Sequence, residues 1–468
     1  MVRGLAAALC LLIPSLTFAA PAIPDTPAGK VFGEWLTSFN DADRAAIQAF
    51  KDKYKRRTPV EAVLEQREDT GGFDLVRLET KEPLALTAIL RERSAPDAQY
   101  RFAITVTDGQ PATINKVEFE DLPIPRMSEA DAMASLEAHT RSLVDKGQFS
   151  GALLVARHGK VLLEKAYGDA DRVKGIPNTI DTQFRYASVS KMFTSVAVLQ
   201  LVEAGKLSLD GHIGDYLKNY PNKDMATKVS IRQLLSHTSG AGGVDTLDWS
   251  TFKSPQEFRT YRDQVRTHSD YVKRHGARAP EFEPGSKVEY SNYAFVLLGA
   301  IIERVSGQDY YDYIEQHVLA PAGMTSTGNA PEHEVLPRRA VGYMRKGDAW
   351  VPNSDTLPYR GMAAGGGYTT VGDMLKFAQA LESGKLLSKR MLTEATKSQM
   401  QEGWYGFGFI AVGEGPLRRF GHGGDHNGMC ADFRVFPESG YVLISLSNID
   451  PPSANRPLRY LEPRMPID

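Results

Sequence analysis

Residues 188–204 (SVSKMFTSVAVLQLVEA) constrain the fold more than any other stretch of the chain. The run reads as a helix, closed by Gly205 where a left-handed residue commonly ends one. Phe193, Val196, Ala197, Val198, Leu199, Leu201 and Val202 leave almost no polar face, so no side of it suits water. Such a helix has to lie at the centre of a domain, with other elements packed around it. The 468 residues are long enough for two or three domains. With 42% hydrophobic and 24% charged residues, a disordered or fibrous chain is excluded. Lys+Arg (55) and Asp+Glu (57) nearly cancel, so no net field draws the chain to nucleic acid or anionic lipid.

The first 22 residues carry a different message. Arg3 precedes an apolar run from Leu5 to Phe18, followed by Ala19, Ala20 and Ala22, the pattern of a cleaved secretory signal. At about 14 residues, interrupted by Pro14, the run falls short of the roughly 20 that a spanning helix needs. The expectation is an exported protein, periplasmic or secreted, with no membrane span once the signal is removed. Cys10 lies inside the apolar run, so Cys430 is the single cysteine of the mature chain.

Two regimes follow. Residues 26–121 start with helical spacing (Val31, Trp35, Leu36, Phe39, then Ala45 to Tyr54). They continue with alternating strands at Phe73–Leu78, Leu84–Leu90, Tyr100–Val106 and Ile114–Phe119. This predicts a small α+β domain. Asp121-Leu-Pro-Ile-Pro-Arg126 reads as a linker. Residues 127–468 form the larger domain. It has a helix over Glu129–Lys146 and a hairpin of Gly151–Arg157 with Lys160–Ala166 turned by His158-Gly159. Helices are predicted at Ile231–Leu235, Tyr293–Val305, Tyr310–Val318 and Met374–Leu381, and closing strands at Trp404–Val412, Ala431–Phe436 and Tyr441–Ser447. Early and late strands with helices between them imply one antiparallel sheet closed by both ends of the domain.

Several common chemistries are missing. There is no Gly-x-Ser-x-Gly elbow, no phosphate-binding Gly-Lys-Ser/Thr loop and no His-Glu-x-x-His. Gly406-Phe-Gly408-Phe-Ile-Ala411 mimics a dinucleotide fingerprint, but aromatic residues flank it and no helix follows. His422 and His426 stand four apart in a glycine-rich segment unsuited to helical metal ligation. Nothing calls for a metal or an organic cofactor.

What remains is Ser188-Val-Ser-Lys191, where a serine and a lysine three apart share one face at the start of the buried helix. A serine hydroxyl is a weak nucleophile until a neighbouring base takes its proton. A lysine can be that base when burial disfavours its ammonium form. About 100 residues on, Tyr290-Ser-Asn292 opens another apolar helix, offering a phenol for proton transfer and an amide for holding a substrate carbonyl or the lysine. Later, His422-Gly423-Gly424 follows a strand, where glycines let the strand edge approach a ligand closely.

Together these motifs resemble the serine β-lactamase and penicillin-binding-protein superfamily, in its branch of class C β-lactamases, DD-peptidases, D-aminopeptidases and esterases. Leu234-Leu-Ser-His-Thr-Ser-Gly240, Gly365-Gly-Gly-Tyr-Thr-Thr370 and Gly406-Phe-Gly408 match that branch too. The resemblance spans about residues 130–448. It implies an α/β sheet domain of β-lactamase/transpeptidase type with a helical subdomain built from the middle of the chain. It also implies a substrate that is a small ester, a β-lactam or a D-amino-acid amide or peptide. Ser188 would be acylated, Lys191 would take its proton, and Tyr290 would pass protons to the leaving group. Asn292 would bind the substrate's amide or Lys191, and the N–H groups of Ser188 and Asp425 would form the oxyanion hole. Esters and D-amino-acid amides are the favoured substrates, the alternatives being a true β-lactamase or a non-catalytic sensor of cell-wall fragments. Residues 26–121 receive no chemistry.

Where β-lactamases of the family carry a carboxylate-binding lysine, this chain has His422. The expectation is that His422 gains charge as pH falls through about 6.5 and then favours anionic substrates. Residues 241–283, rich in both signs of charge (Arg259, Arg262, Arg266, Lys273 against Asp245, Asp248, Glu257, Asp263), read as either a lid or a solvated helical surface.

Overall fold

A computed structural model describes residues 21–109, 112–243, 252–400 and 403–467. Residues 1–20, where the sequence reads as an export signal, and Asp245 and Asp248 of the charged stretch lie outside these residues. The chain divides into two compact units, one ending at Pro125 and one beginning at Arg126.

The first unit places helices Pro27–Asp41, Arg44–Lys53 and Val60–Thr70 ahead of a four-stranded antiparallel meander. The strands are Phe73–Lys81, Ala85–Glu92, Gln99–Val106 and Ile114–Asp121. Thr26 starts the first helix by accepting the Gly29 N–H at 3.1 Å, with Pro27 in the first turn. Its apolar face meets the sheet, where Trp35 stacks on Phe102 at 4.2 Å and Phe39 on Phe73 at 5.2 Å. The helix Val60–Thr70 was not expected, because its apolar periodicity is weak and seven of its eleven residues are polar or charged in sequence (VEAVLEQREDT).

In the second unit six antiparallel strands run in the spatial order Ile410–Val412, Arg419–His426, Met429–Phe436, Tyr441–Ser447, Gly151–Arg157 and Lys160–Tyr167. The two ends of the unit join where Leu154 stands opposite Ile444. His158 and Gly159, both at positive φ (48° and 78°), make the tight turn that the sequence predicts. Alternation then divides the sheet between two cores. Val155 and Leu443 face Leu136 of Glu129–Asp145 and Leu458 of Asn455–Leu461. Leu154 and Ile444 face the main core with Phe193 and Phe377.

The central helix spans Ser190–Glu203 and is buried at every residue from Ser190 to Leu199, as its all-round apolar character requires. It packs against Asn292–Ser306, which is buried from Tyr293 to Ile302. Ile231–Leu235, Tyr310–Ile314 and Val371–Glu382 are helical as predicted, the second continuing into a wider turn at Glu315–Leu319. Within the charged stretch, Pro255–Gln264 and His268–His275 are helices.

Two expectations are corrected. The strand predicted over Trp404–Val412 is confined to Ile410–Val412. Before it, the Gly406 N–H donates to Phe409 O at 2.8 Å and Gly408 adopts φ 76°, so the segment folds back on itself. A Cβ on Gly408 would lie 2.5 Å from Ser195 Cβ, which shows how tightly this turn is pressed onto the central helix. The chain also does not end in strands, since Asn455–Leu461 is a helix.

Candidate active site

Ser188 sits in a 3-10 turn, Ala187–Val189, and the α-helix begins only at Ser190. Side chains three apart eclipse in such a turn, which brings Lys191 Nζ to 3.1 Å from Ser188 Oγ. Ala187 enters the turn at φ 43°, a left-handed conformation that side-chain-bearing residues avoid. The neighbouring chain holds it there. Gly366 donates its N–H to Ala187 O at 3.0 Å, and Gly367 passes so close that a Cβ would lie 2.2 Å from Tyr186 Oη.

Lys191 is fully buried. Its Nζ lies 2.8 Å from Asn292 Oδ1, hydrogen-bonds Ala364 O, and sits over the faces of Tyr290 (4.7 Å) and Phe295 (5.5 Å). No carboxylate is among these partners, and burial holds the amine well below the usual lysine range. Asn292 is delivered by the first turn of Asn292–Ser306, capped by Ser291 Oγ accepting the Ala294 N–H at 3.0 Å.

Tyr290 presents its ring to a cavity, 37% exposed, while its hydroxyl end is enclosed and hydrogen-bonded with Ser188. Loss of water pushes the phenol above the usual tyrosine range, outweighing the Ser188 bond, and the nearby Asp425 adds to the rise. Near neutral pH it is a proton donor.

The strand Arg419–His426 forms the facing wall. A Cβ on Gly424 would lie 2.1 Å from Tyr186 O and 3.1 Å from Ser188 N, so only glycine lets the strand close on the serine. Gly423 is under no such constraint, its nearest atom being 3.7 Å away. His422 does not behave as the sequence suggests. It is 4% exposed, with Nε2 2.8 Å from Tyr405 Oη and Nδ1 on Gly423 O. Burial, helped by Lys191, pushes its pKa down to about 3. It stays neutral from pH 5 to 8 and offers no titrating charge to a carboxylate.

The sequence-selected residues converge. Ser188, Tyr290, Asn292, His422, Gly423 and Asp425 line one cavity of about 380 Å³, with Lys191 behind it and Gly424 against the serine backbone. A larger cavity of about 960 Å³ holds none of them, although both touch Pro358. Sequence reasoning missed Ala364, whose carbonyl binds Lys191, and the aromatic residues Phe295, Trp404 and Tyr405. It also assigned no role to His237. That ring is fully buried at φ 58°, accepts the Ser291 N–H on Nδ1 at 3.1 Å, and lies 4.3 Å from both Tyr290 and Tyr405. The only signal for it was its place inside Leu234–Gly240.

A fold of this kind, with a buried lysine 3.1 Å from the serine three residues before it, defines the class: a serine hydrolase of the Ser-x-x-Lys type. The chain belongs to the Beta-lactamase family, whose model matches residues 136–462. It is 31% identical over 313 residues to the putative penicillin-binding protein PbpX of Bacillus subtilis (strain 168), covering 64% of this chain and 71% of that protein. Among solved structures it is similar to a penicillin-binding protein from Bacillus halodurans (TM-score 0.63, 29% identity, 69% of this chain and 98% of that one). It is also similar to a D-stereospecific amidohydrolase from Streptomyces sp. (TM-score 0.60, 26% identity, 70% and 98%).

Proposed function

We propose that this is an exported hydrolase that forms an acyl-enzyme on Ser188, acting on D-amino-acid amides or on esters. The observation that carries the reading is the buried Lys191 amine 3.1 Å from Ser188 Oγ with no carboxylate to hold its proton. As a neutral amine, Lys191 keeps two N–H bonds for Asn292 Oδ1 and Ala364 O and turns its lone pair to the serine. As Oγ attacks the carbonyl carbon, the hydroxyl proton passes to Nζ. The oxyanion is received by the N–H groups of Ser188 and Asp425, where one donor is typically worth about 10²–10³ in rate. The strand register supports that role for Asp425. The two-residue turn after His426 makes Asp425–Cys430 a non-hydrogen-bonded pair, so the Asp425 N–H points away from its partner strand. Tyr290 gives its proton to the leaving amine or alkoxide and regains one from Lys191. Water then attacks the ester and the sequence runs in reverse.

Export rests on the first 22 residues; among the described residues no helix is long and apolar enough to cross a membrane. The D-amino-acid preference rests on the similarity to a D-stereospecific amidohydrolase. Labelling with a fluorophosphonate and mapping the adduct by mass spectrometry tests the assignment. Modification of Ser188, lost in Ser188→Ala along with hydrolysis, is expected. A label on another serine, or full activity in Ser188→Ala, refutes it.

A further inference from the structure

Tyr290 must aim one hydroxyl at Ser188 and at the departing group. Yet it stands two residues ahead of the helix Asn292–Ser306, in a segment (residues 288–291) that is neither helix nor strand. What holds it comes from elsewhere in the unit. The Glu289 N–H donates to His237 O at 2.8 Å, and the Ser291 N–H donates to His237 Nδ1 at 3.1 Å. One residue therefore takes the amides on both sides of Tyr290, and its ring lies 4.3 Å from the phenol ring between them. The same imidazole lies 4.3 Å from Tyr405, whose Oη meets His422 Nε2 at 2.8 Å, so it is backed by the strand that forms the facing wall.

His237 carries costs in this place. It stands at φ 58°, a left-handed conformation in which its carbonyl and its ring face the same segment. Because Nδ1 accepts a hydrogen bond, the ring hydrogen is on Nε2, which is buried and has no partner among the described residues. Burial, with Lys191 and His422 nearby, holds the imidazole well below the usual histidine range, so Nδ1 keeps its lone pair for Ser291. Backbone strain and an unpaired buried donor both oppose folding. Glycine would enter φ 58° freely, but it would leave the Ser291 N–H unpaired and the Tyr290 ring without its neighbour.

We propose that His237 is the positioning residue for Tyr290, fixing the backbone on both sides of the phenol so that its hydroxyl meets the leaving group during acyl transfer. The inference rests on the proton-donor role given to Tyr290 above. A leaving group that departs without a proton makes no demand on Tyr290. An alkoxide or an amine does, and a misplacement of about 1 Å can cost about 10²-fold in rate.

Two butyrate esters separate this role from a general loss of structure. p-Nitrophenoxide leaves without a proton, whereas ethoxide takes one from Tyr290 as the C–O bond breaks. His237→Gly removes the side chain while suiting the left-handed backbone and keeping the carbonyl that Glu289 uses. It should lower kcat/KM for ethyl butyrate by about 10²-fold, while p-nitrophenyl butyrate and fluorophosphonate labelling at Ser188 fall by less than about threefold. Tyr290→Phe should show the same split. His237→Asn should recover part of the loss, because asparagine tolerates left-handed backbone and its Oδ1 stands where the histidine Nδ1 does. Equal losses on the two esters in His237→Gly, or no loss, overturn the inference, as does a His237→Asn no better than His237→Gly. If His237→Gly does not fold, the split is read in His237→Asn, which lacks the ring contact, at about tenfold, and its absence there overturns the inference. A Tyr290→Phe without the split overturns the proton-donor role and the inference with it, while labelling at Ser188 leaves the acyl-enzyme reading standing.

Discussion

Replacing Asn292 with aspartate tests whether Lys191 is the proton acceptor. The substitution keeps the shape of the side chain and puts a carboxylate oxygen where Asn292 Oδ1 now lies, 2.8 Å from Lys191 Nζ. At an effective dielectric constant of about 20, opposite charges at that separation attract by about 6 kcal/mol. At 1.36 kcal/mol per unit this corresponds to about four pK units. Burying the new carboxylate takes back part of the gain, so a rise of at least about two units in the Lys191 pKa is expected. Only the deprotonated amine can accept the Ser188 proton, so the ascending limb of the pH–rate profile should move to higher pH by the same amount. The assay is the second-order rate of fluorophosphonate labelling at Ser188 between pH 6 and 10. At any pH below both limbs the variant should label about a hundredfold more slowly, recovering tenfold per pH unit as the pH rises. Asn292→Ala, which removes a hydrogen bond without adding charge, should slow the reaction without that displacement. If the Asn292→Asp profile superimposes on the wild type, Lys191 is not the base.

Three further outcomes follow from the same geometry. His422 is neutral when folded and takes up a proton on unfolding below its ordinary pKa near 6.5, so its contribution to stability is full above pH 6.5 and is lost as pH falls toward about 3. In urea titrations, His422→Gln should flatten the stability profile between pH 6.5 and 4 by about 1.4 kcal/mol per pH unit, and an unchanged slope would contradict the burial argument. Gly424→Ala forces a Cβ to within 2.1 Å of Tyr186 O, so labelling should slow by about 10²-fold or more, while Gly423→Ala, with 3.7 Å of room, should keep the wild-type Tm. Equal effects at the two glycines would refute the role of strand closure. A chain starting just before Met127 should fold and label at Ser188, because the residues proposed for catalysis all lie beyond Pro125; a folded but unreactive product would assign the first unit a part in the site.

Much of the architecture was legible because it is set locally. Alternating apolar residues place the strands Gly151–Arg157 and Tyr441–Ser447, and His158-Gly159 places their turn. The apolar runs mark the long helices Glu129–Asp145, Ser190–Glu203 and Asn292–Ser306 to within a residue or two. The segment Trp404–Phe409 was misread because its aromatic residues suit a strand equally well, and only its contact with Ser195 on the central helix makes it a turn.

The sequence by itself determined that a helix apolar on all sides would lie at the centre of the unit, with Ser188 and Lys191 at its start. It also determined which partners could join them, since Tyr290, Asn292 and the His422–Gly424 run are chemistry-bearing residues at junctions between elements. Only the tertiary structure decided their states. Lys191 draws its partners from residues 101 and 173 positions away, and its low pKa comes from the loss of water when those segments meet. His422 loses its charge for the same reason. Desolvation is a sum over neighbours brought together from the whole unit, and no local stretch of sequence contains it.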